Sequence, residues 1–248
     1  MNRVEETAIL APWTTSVPRG WEIARIDSVA DVFFSNVDKH TFEGEEPVLL
    51  CNYVDVYKNE KITASLDFME ASAKPHEIEK FQIRRGDVLV TKDSEEPDDI
   101  AIPALVAEDL PGVLCGYHLG LIRPRSKRIT GAFIAWLHRS KQFRSQYEAK
   151  AVGVTRFGLS EYAFRAALIP LPPLEEQVRI NAYLEYSCAA IDSIATINKP
   201  KDDILQENGV LNKQMRTLRA YRNSIIHECV TGQRRITELD LSQVKTHG

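Results

Sequence analysis

The segment at residues 171–177, Leu-Pro-Pro-Leu-Glu-Glu-Gln, separates two parts of the chain that have different hydrophobic patterns. Pro172 and Pro173 have a restricted φ and no amide hydrogen, so they fit an extended segment or the first position of a helix. Glu175 and Glu176 would then lie in the first helical turn, where carboxylates interact favourably with the positive end of the helix dipole. The segment therefore predicts a helix that starts immediately after a strand.

Before this segment the sequence pattern alternates between strands and helices. An apolar and aromatic run at 47–57 predicts a strand, followed by a turn at 58–60 and a strand at 62–66 that pairs back. A helical period begins at Thr130 or Gly131. Further strands are predicted at 88–91, 102–106, 112–122 and 166–171. The first part of the chain is therefore predicted to be a mixed α/β domain, and the whole chain to be of the α+β class.

After the segment, apolar residues recur at a heptad-like spacing of alternating three and four residues. Narrow apolar stripes on long helices need a partner, which could be each other, a second copy of the chain or another subunit. Residues 198–200, Asn-Lys-Pro, separate the two stripes. The pattern predicts long, antiparallel, coiled-coil-like helices. The first stripe contains Ile180, Leu184, Ile191 and Ile194, and the second contains Leu211, Met215, Leu218, Ile225 and Cys229.

Basic residues are concentrated in one block of an otherwise acidic protein. The formal net charge is −4, yet residues 123–170 contain ten Lys or Arg and only two Asp or Glu. Such a block is a candidate surface for a polyanion. The alternative is a solvated basic face that acidic neighbours compensate in space.

Composition places the chain among soluble globular proteins, with 44% hydrophobic and 27% charged residues. No apolar run approaches the roughly 18 residues of a membrane span, and residues 1–10 lack a signal-peptide pattern. We therefore expect a cytoplasmic protein. The four cysteines form no Cys-x-x-Cys pair, which favours reduced structural thiols over a zinc site or a disulfide framework.

Catalytic motifs are missing from the sequence. Asp87 and Lys92 have the spacing of a metal-dependent nuclease strand, but Val90 occupies the position of the second metal-binding acid. A phosphate-binding Gly-x-x-x-x-Gly-Lys-Ser/Thr loop is absent, and the histidines form no ligand spacing. The sequence therefore favours a protein that is not an enzyme and needs neither a cofactor nor a metal.

Several short motifs, taken together, resemble one known family. Residues 169–180, Ile-Pro-Leu-Pro-Pro-Leu-Glu-Glu-Gln-Val-Arg-Ile, resemble the hallmark of type I restriction-modification specificity subunits. Residues 224–232, which end in Thr-Gly, resemble the close of that family's conserved helix. Residues 18–22, 85–92 and 121–124 resemble its Pro-x-Gly-Trp opening, the strand after its Gly-Asp turn and the end of its central strand. The matches follow the family order over about residues 18–232.

The resemblance implies a sequence-specific DNA-binding subunit without catalysis of its own. It would assemble with a methyltransferase (M) subunit and, through it, with a restriction and translocase (R) subunit. Residues 1–170 would form one target recognition domain, 171–232 a conserved helical spacer and 233–248 a tail, so the chain resembles a half-size member. Two copies paired head to tail would rebuild the usual arrangement. Residues 198–209 look like an insertion or a turn between helices.

The resemblance also gives roles to particular residues. The DNA contacts are expected from Lys92 after the strand at 88–91, His118 in the strand at 112–122, Arg123, Arg125, Lys127 and Arg128 after that strand, and Thr155 and Arg156 in the loop after residue 153. The spacer and homodimer contacts are expected from the apolar stripes, namely Leu184, Ile191, Leu211, Leu218 and Ile225. A second hypothesis is a helical adaptor that binds another protein and has no affinity for DNA.

Overall fold

The computed structural model describes residues 13–14, 16–125, 127–197 and 210–246. The predicted insertion at 198–209 lies outside the described residues. The strands are Glu22–Arg25 (β1), Ala30–Phe34 (β2), Glu46–Cys51 (β3), Lys61–Ile62 (β4), Met69–Ala73 (β5), Val88–Thr91 (β6), Asp93–Ser94 (β7), Pro103–Val106 (β8), Val113–Cys115 (β9), Leu119–Pro124 (β10), Val152–Gly153 (β11), Phe157–Gly158 (β12) and Leu168–Leu171 (β13). The helices are Tyr53–Lys58 (α1), Pro75–Phe81 (α2), Gly131–Arg139 (α3), Lys141–Glu148 (α4), Glu161–Arg165 (α5), Leu174–Ile197 (α6), Val210–Val230 (α7) and Glu238–Thr246 (α8).

The head of the molecule, defined here as residues 13–171, is built around a five-stranded sheet of order β2-β10-β6-β8-β4. All four residues of β6 are buried, and they alternate between two cores. Val88 and Val90 pack with the helices, whereas Leu89 packs towards the three-stranded sheet β5-β3-β9. Because successive strand residues point to opposite faces, an apolar run of this kind requires cover on both sides. The central sheet is therefore sandwiched between helices and a second sheet.

The predicted strand at 47–57 is wrong beyond Cys51. Residues 53–58 form α1, which begins at Asn52, where Asn52 and Asp55 form a capping box. The Asn52 amide donates to the Asp55 carboxylate over 2.7 Å, so local side chains satisfy the helix start. The predicted hairpin is also wrong, because β4 pairs in parallel with β8 rather than back onto β3.

The helix predicted from residue 130 begins where expected but is interrupted. The Thr130 hydroxyl caps α3 by accepting from the Phe133 amide over 3.2 Å. Ser140 then ends α3 and caps α4, accepting from the Phe143 amide over 3.3 Å. The break lets both short helices bury apolar faces, with Phe133 and Phe143 fully buried.

The two long helices form an antiparallel hairpin, a name used below for α6 and α7 together. The contacts between them run in opposite directions along the chain. Asp192 pairs with Arg222, whereas Tyr183, nearer the start of α6, lies under the guanidinium of Arg234, just beyond α7. These helices have 24 and 21 residues. Among the described residues, no helix is both long and apolar enough to cross a membrane.

The C-terminal segment at 233–248, predicted to be a tail, contains α8 at Glu238–Thr246. Helix α8 packs on α6 through a half-buried Leu241 that contacts the main core. The Thr237 hydroxyl caps it, since the Asp240 amide donates to that oxygen and the Asp240 carboxylate accepts from the Thr237 amide over 2.8 Å. A local cap and an apolar contact therefore extend the folded region past Gly232.

Three motifs that are distant in sequence meet where the head joins the hairpin. Gly232 follows α7 with a φ of +78°, and a Cβ at this position would lie 2.4 Å from the ring of Pro18. Next to it, the Trp21 indole donates to the Glu176 carboxylate over 2.6 Å, and Arg235 pairs with the same carboxylate. The Pro-x-Gly-Trp, Pro-Pro-Leu-Glu-Glu-Gln and Thr-Gly motifs therefore form one joint.

Gln177 completes this joint from inside. Its side chain is fully buried, and its amide makes three hydrogen bonds with backbone groups. The side-chain nitrogen donates to the carbonyls of Arg128 and Pro172 over 2.6 and 3.0 Å, while its oxygen accepts from the Thr130 amide over 2.9 Å. One side chain thus ties the start of α6 to the loop that precedes α3.

Candidate nucleic-acid interface

The eight residues predicted to contact DNA do not form one patch. Strand β10 separates them, with His118 at its start and Arg125 just past its end. At about 3.3 Å per residue, these two positions lie on the order of 20 Å apart. One group is formed by Lys92, His118, Thr155 and Arg156, and the other by Arg125, Lys127 and Arg128, whereas Arg123 belongs to neither.

The first group is organised by Asp93 in β7. His118 Nδ1 lies 3.0 Å from one Asp93 oxygen, and Arg156 Nε donates to the other over 2.8 Å. The carboxylate is mostly buried, whereas the His118 and Arg156 side chains remain about half exposed, at 45% and 47%. Asp93 therefore fixes the direction of both donors and leaves their outer edges accessible.

A tight β-hairpin places Arg156 at this position. Strands β11 and β12 pair with each other, and β12 pairs with β7, so Phe157 lies opposite Ser94. Gly153 is required in the turn, because a Cβ there would lie 2.0 Å from the Arg156 carbonyl oxygen. Thr155 is exposed in the same turn. The β11–β12 turn forms the loop that the sequence predicts to face DNA.

Lys92 is the least exposed member of the first group and is half-buried. Its Nζ donates to the Ser35 carbonyl over 2.8 Å and lies 4.3 Å from the centre of the Tyr117 ring. Burial lowers the pKa of Lys92, and the nearby Asp93 partly opposes that effect. The ammonium group therefore supports the Tyr117 ring from below rather than projecting into solvent.

Aromatic side chains extend this surface, and the sequence prediction missed them. Tyr117 is 52% exposed, and its ring meets that of His118 edge to face at 5.0 Å. Together with His40, Asn52 and Tyr53 these residues line a cleft of about 250 Å³. The signal in the sequence was the Gly-Tyr-His turn at 116–118, which places an aromatic ring outside a strand. The arrangement offers flat apolar faces beside hydrogen-bond donors and acceptors, the combination that base edges require.

The second group lies near the joint and is paired with acidic side chains. Arg125 donates to Asp31 over 2.8 Å, and Arg128 donates to Glu22 over 2.6 Å. Lys127 is exposed between them. All three follow β10 on the side where Gln177 binds the Arg128 carbonyl. This group is therefore attached to the start of the hairpin, not to the cleft at the other end of the strand.

Arg123 lies inside the fold. It makes two parallel hydrogen bonds to Asp87, over 2.9 Å from Nε and 2.7 Å from Nη2, and Nη2 also donates to the Gln82 carbonyl. The Asp87 side chain is only 3% exposed and that of Arg123 18%. Bidentate geometry and burial give Arg123 a structural role, since its Nε and Nη2 donors are used within the fold.

Acidic neighbours compensate most of the basic block, as the alternative interpretation of the sequence proposed. Among the described residues, seven of its ten cationic side chains form salt bridges, and six of those seven partners come from the part of the chain before Arg123. The charge imbalance along the chain is thus largely removed in space. The described residues therefore do not form a continuous basic face. The paired, oriented donors of the first group are a better candidate for recognition.

The apolar stripes are mostly used within the single chain. Leu184, Ile191 and Ile225 are 0%, 7% and 1% exposed, because α6 and α7 pack on each other and on α3. These three side chains are therefore not free to contact a second copy in this conformation. Leu218 is partly buried against the same core, and the side chain of Leu211 lies outside the described part of the structure.

The described residues hold no cluster of His, Cys, Asp or Glu that could bind a metal ion. The four cysteines are all buried and free, and burial raises the pKa of the Cys188 thiol to about 11 and that of Cys229 to about 12. Buried, protonated thiols of this kind are structural. The surface around Tyr117 and His118 can instead bind a ligand through hydrogen bonds and ring stacking.

Residues 18–200 match the family described as the type I restriction modification DNA specificity domain. The chain belongs to this family. A type I restriction enzyme specificity subunit of Methanocaldococcus jannaschii, MjaX, is 24% identical over 186 residues, which are 74% of this chain and 42% of that protein. The motifs that meet at the joint and the mixed α/β head are therefore those of a DNA specificity domain.

Solved structures share the fold. A chain from a structure on complex assembly and conformational transition of a type I restriction-modification system aligns with a TM-score of 0.55 and 18% identity, over 89% of this chain and 48% of that one. The HsdS subunit from Thermoanaerobacter tengcongensis aligns with a TM-score of 0.53 and 24% identity, over 73% of this chain and 45% of that one. The chain thus spans about half the length of the relatives it matches.

Proposed function

We propose that this chain recognises a specific duplex DNA sequence and performs no catalysis itself, as a specificity subunit of a type I restriction-modification complex. The observation that carries the proposal is the first group, in which Asp93 orients His118 and Arg156 beside the exposed Tyr117 ring. An arginine held by a carboxylate presents its remaining donors in a fixed direction, which suits bidentate contact with guanine. The Tyr117 face suits contact with a base or a sugar.

The corresponding experiment measures binding to the recognition sequence of the protein's own system, with the methyltransferase subunit present. Arg156→Gln and Tyr117→Ala should each weaken specific binding by about tenfold or more, equivalent to about 1–3 kcal/mol, while changing binding to a scrambled duplex little. Arg165→Gln is the matched control, since Arg165 is a half-exposed arginine in a salt bridge with Glu161, outside the first group. Absence of DNA binding in every such assembly would favour the adaptor hypothesis instead.

We further propose a division of labour along the chain. Residues 1–170 read DNA, 171–232 form a helical spacer and 233–248 brace the spacer through α8. Arg125, Lys127 and Arg128 contact phosphates near the joint, because all three are exposed and the pairs of Arg125 with Asp31 and of Arg128 with Glu22 lie at the surface. Phosphate contacts of this kind fix register and lose strength as salt rises.

A homodimer is the last part of the proposal. The chain spans about half the length of its relatives, so a second copy would supply the second recognition domain. With Leu184, Ile191 and Ile225 buried, we place the contact on the exposed side of the hairpin, where Ile194 is 47% and Tyr221 53% exposed. A two-fold pair would bring the same patch of both copies together. The M subunit, and through it the R subunit, would dock on this paired spacer.

A further inference from the structure

A second cleft lies between the head and the hairpin, away from the first group. It has a volume of about 200 Å³. Four of its lining residues are cationic, and they come from four different helices: Lys58 ends α1, Arg139 ends α3, Arg144 belongs to α4 and Arg222 to α7. Glu60 is the one carboxylate in the lining. Residues far apart in sequence thus bring several positive charges around one small space.

Carboxylates outside the lining balance part of this charge, with Asp98 and Asp99 near Arg144. Glu60 is shared, because Arg222 pairs with its carboxylate while Arg139 Nε lies 3.7 Å from the other oxygen. Asp192 adds a second contact to Arg222. Arg144 donates to the His138 carbonyl over 2.6 Å and, within the described ranges, makes no salt bridge. Lys58 is exposed at the rim and likewise makes no salt bridge there.

Two of these arginines carry buried donors that nothing in the described structure satisfies. The Nε atoms of Arg139 and Arg144 are inaccessible to solvent and have no hydrogen-bond partner among the described residues. The Arg139 side chain is only 9% exposed and stacks on the Trp136 ring at 4.4 Å. Burial lowers the pKa of both guanidinium groups, and repulsion from Arg222 adds to the effect at Arg139. An anion in the cleft would stabilise these two buried guanidinium groups through their positive charge.

The geometry suits a tetrahedral oxyanion. Guanidinium groups present planar forks of donors that match phosphate oxygens, and a terminal lysine adds a point charge at the rim. At about 30 Å³ per water molecule, the cleft has room for one such group with part of its hydration. We propose that this cleft is a binding site for a phosphate-type oxyanion, held jointly by the head and the hairpin. The phosphate could be free or could belong to a nucleic-acid backbone.

The test uses the full chain and inorganic phosphate as the probe. Titration by calorimetry and by thermal unfolding, with chloride at equal ionic strength as reference, should give saturable binding and a rise in Tm that follows phosphate concentration. Because Lys58 is exposed, Lys58→Gln should weaken phosphate binding several-fold without unfolding the head. Arg144→Gln should weaken it about tenfold or more, whereas the exposed Arg165→Gln should leave it unchanged.

Measurements with duplex DNA of arbitrary sequence distinguish the two sources. If the cleft holds a backbone phosphate, free phosphate competes with DNA. In that case Lys58→Gln and Arg144→Gln each reduce the slope of the logarithm of the DNA-binding constant against the logarithm of the salt concentration by about one, which corresponds to the loss of one phosphate contact. If it holds a free anion, both variants lose phosphate binding and keep the DNA slope. Either result supports the site. A wild-type chain that shows no saturable phosphate effect, together with an unchanged DNA slope in both variants, overturns it. Because the readout uses arbitrary sequences, it is independent of the proposed base recognition.

Discussion

At the scale of single residues, the pairing of Arg123 with Asp87 separates stability from DNA binding. Removing the arginine would leave a buried carboxylate without its charged partner, so we expect Arg123→Ala to lower the free energy of unfolding by about 3 kcal/mol. Urea unfolding followed by circular dichroism measures this. Arg125→Ala is the control, because its salt bridge is exposed and worth about 1 kcal/mol or less.

The same pair of variants tests the role predicted from the sequence for Arg123. Its Nε and Nη2 donate to Asp87 and the Gln82 carbonyl, and its side chain is only 18% exposed, so the folded Arg123→Ala protein should keep its DNA affinity. A large loss of affinity at a temperature where the variant remains fully folded would return Arg123 to the group of DNA contacts.

His138 is a buried residue that makes stability depend on pH. Its Nδ1 lies 2.8 Å from the Ile134 carbonyl, so this nitrogen donates, and Nε2 accepts from the Tyr147 hydroxyl at 3.0 Å. Burial lowers the pKa of His138 to about 4. In the unfolded chain its pKa is about 6.5, so only the unfolded state binds a proton as the pH falls between these values. This contribution to stability is therefore complete above pH 6.5 and is lost as pH falls towards 4.

We expect that contribution to reach about 3 kcal/mol, from a difference of about two and a half pKa units at 1.36 kcal/mol each. Urea unfolding at pH 7, 5.5 and 4.5 would measure it by comparison with His138→Gln, which cannot titrate. The variant should be less stable than wild type at pH 7, and the gap should narrow as the pH falls. A gap that stays constant across this range would mean that His138 titrates normally.

At the scale of secondary-structure elements, the three hydrogen bonds of Gln177 explain why a glutamine stands at the start of α6. Gln177→Leu would leave the Thr130 amide and the Arg128 and Pro172 carbonyls without their partner. With buried unsatisfied groups costing about 1–3 kcal/mol each, partly offset by relaxation, we expect a loss of about 3 kcal/mol. Denaturant unfolding measures it, and the exposed Glu175→Gln should change stability by less than about 1 kcal/mol. Equal effects of the two substitutions would contradict the structural role of the amide.

The elements also show which information is local. The starts of α3 and α6 could be predicted, because a capping threonine and a Pro-Pro-x-Glu-Glu turn act within a few residues. The stretch at 53–58 could not, since its aromatic and β-branched residues suit a strand and only the reciprocal Asn52–Asp55 hydrogen bonds select a helix. The parallel pairing of β4 with β8 depends on long-range packing that periodicity does not contain.

At the scale of the whole molecule, the first group shows how much of the candidate site a sequence can contain. The sequence predicts Lys92 after a strand, His118 within a strand and Arg156 in a loop as DNA contacts, and the structure brings all three to one place. Tyr117 and the organising Asp93 were missed, because a tyrosine and an aspartate carry no basic signal. The charge of residues 123–170 predicts more positive surface than the structure has. Their acidic partners are distant in sequence, and only folding pairs them.

In the proposed homodimer, the hairpin supplies the contact surface between the two copies. It leaves Ile194 and Tyr221 exposed, while Leu184, Ile191 and Ile225 are buried in the core. We expect the chain to have the mass of a dimer in light scattering at micromolar concentrations. Ile194→Glu or Tyr221→Glu should weaken the dimer by about thirtyfold or more, because a buried hot-spot residue contributes about 2 kcal/mol or more.

Leu239→Glu supplies the matched comparison, since Leu239 is a 70% exposed leucine on α8, outside the proposed contact. It should leave the dimer intact, and circular dichroism should show that all three variants fold. A monomer mass for the wild-type chain at every concentration would reject pairing through the hairpin. In a dimer of this kind the spacing of the two heads is set by the hairpins, so dissociating variants should bind a half site normally and lose the added affinity for a two-part site.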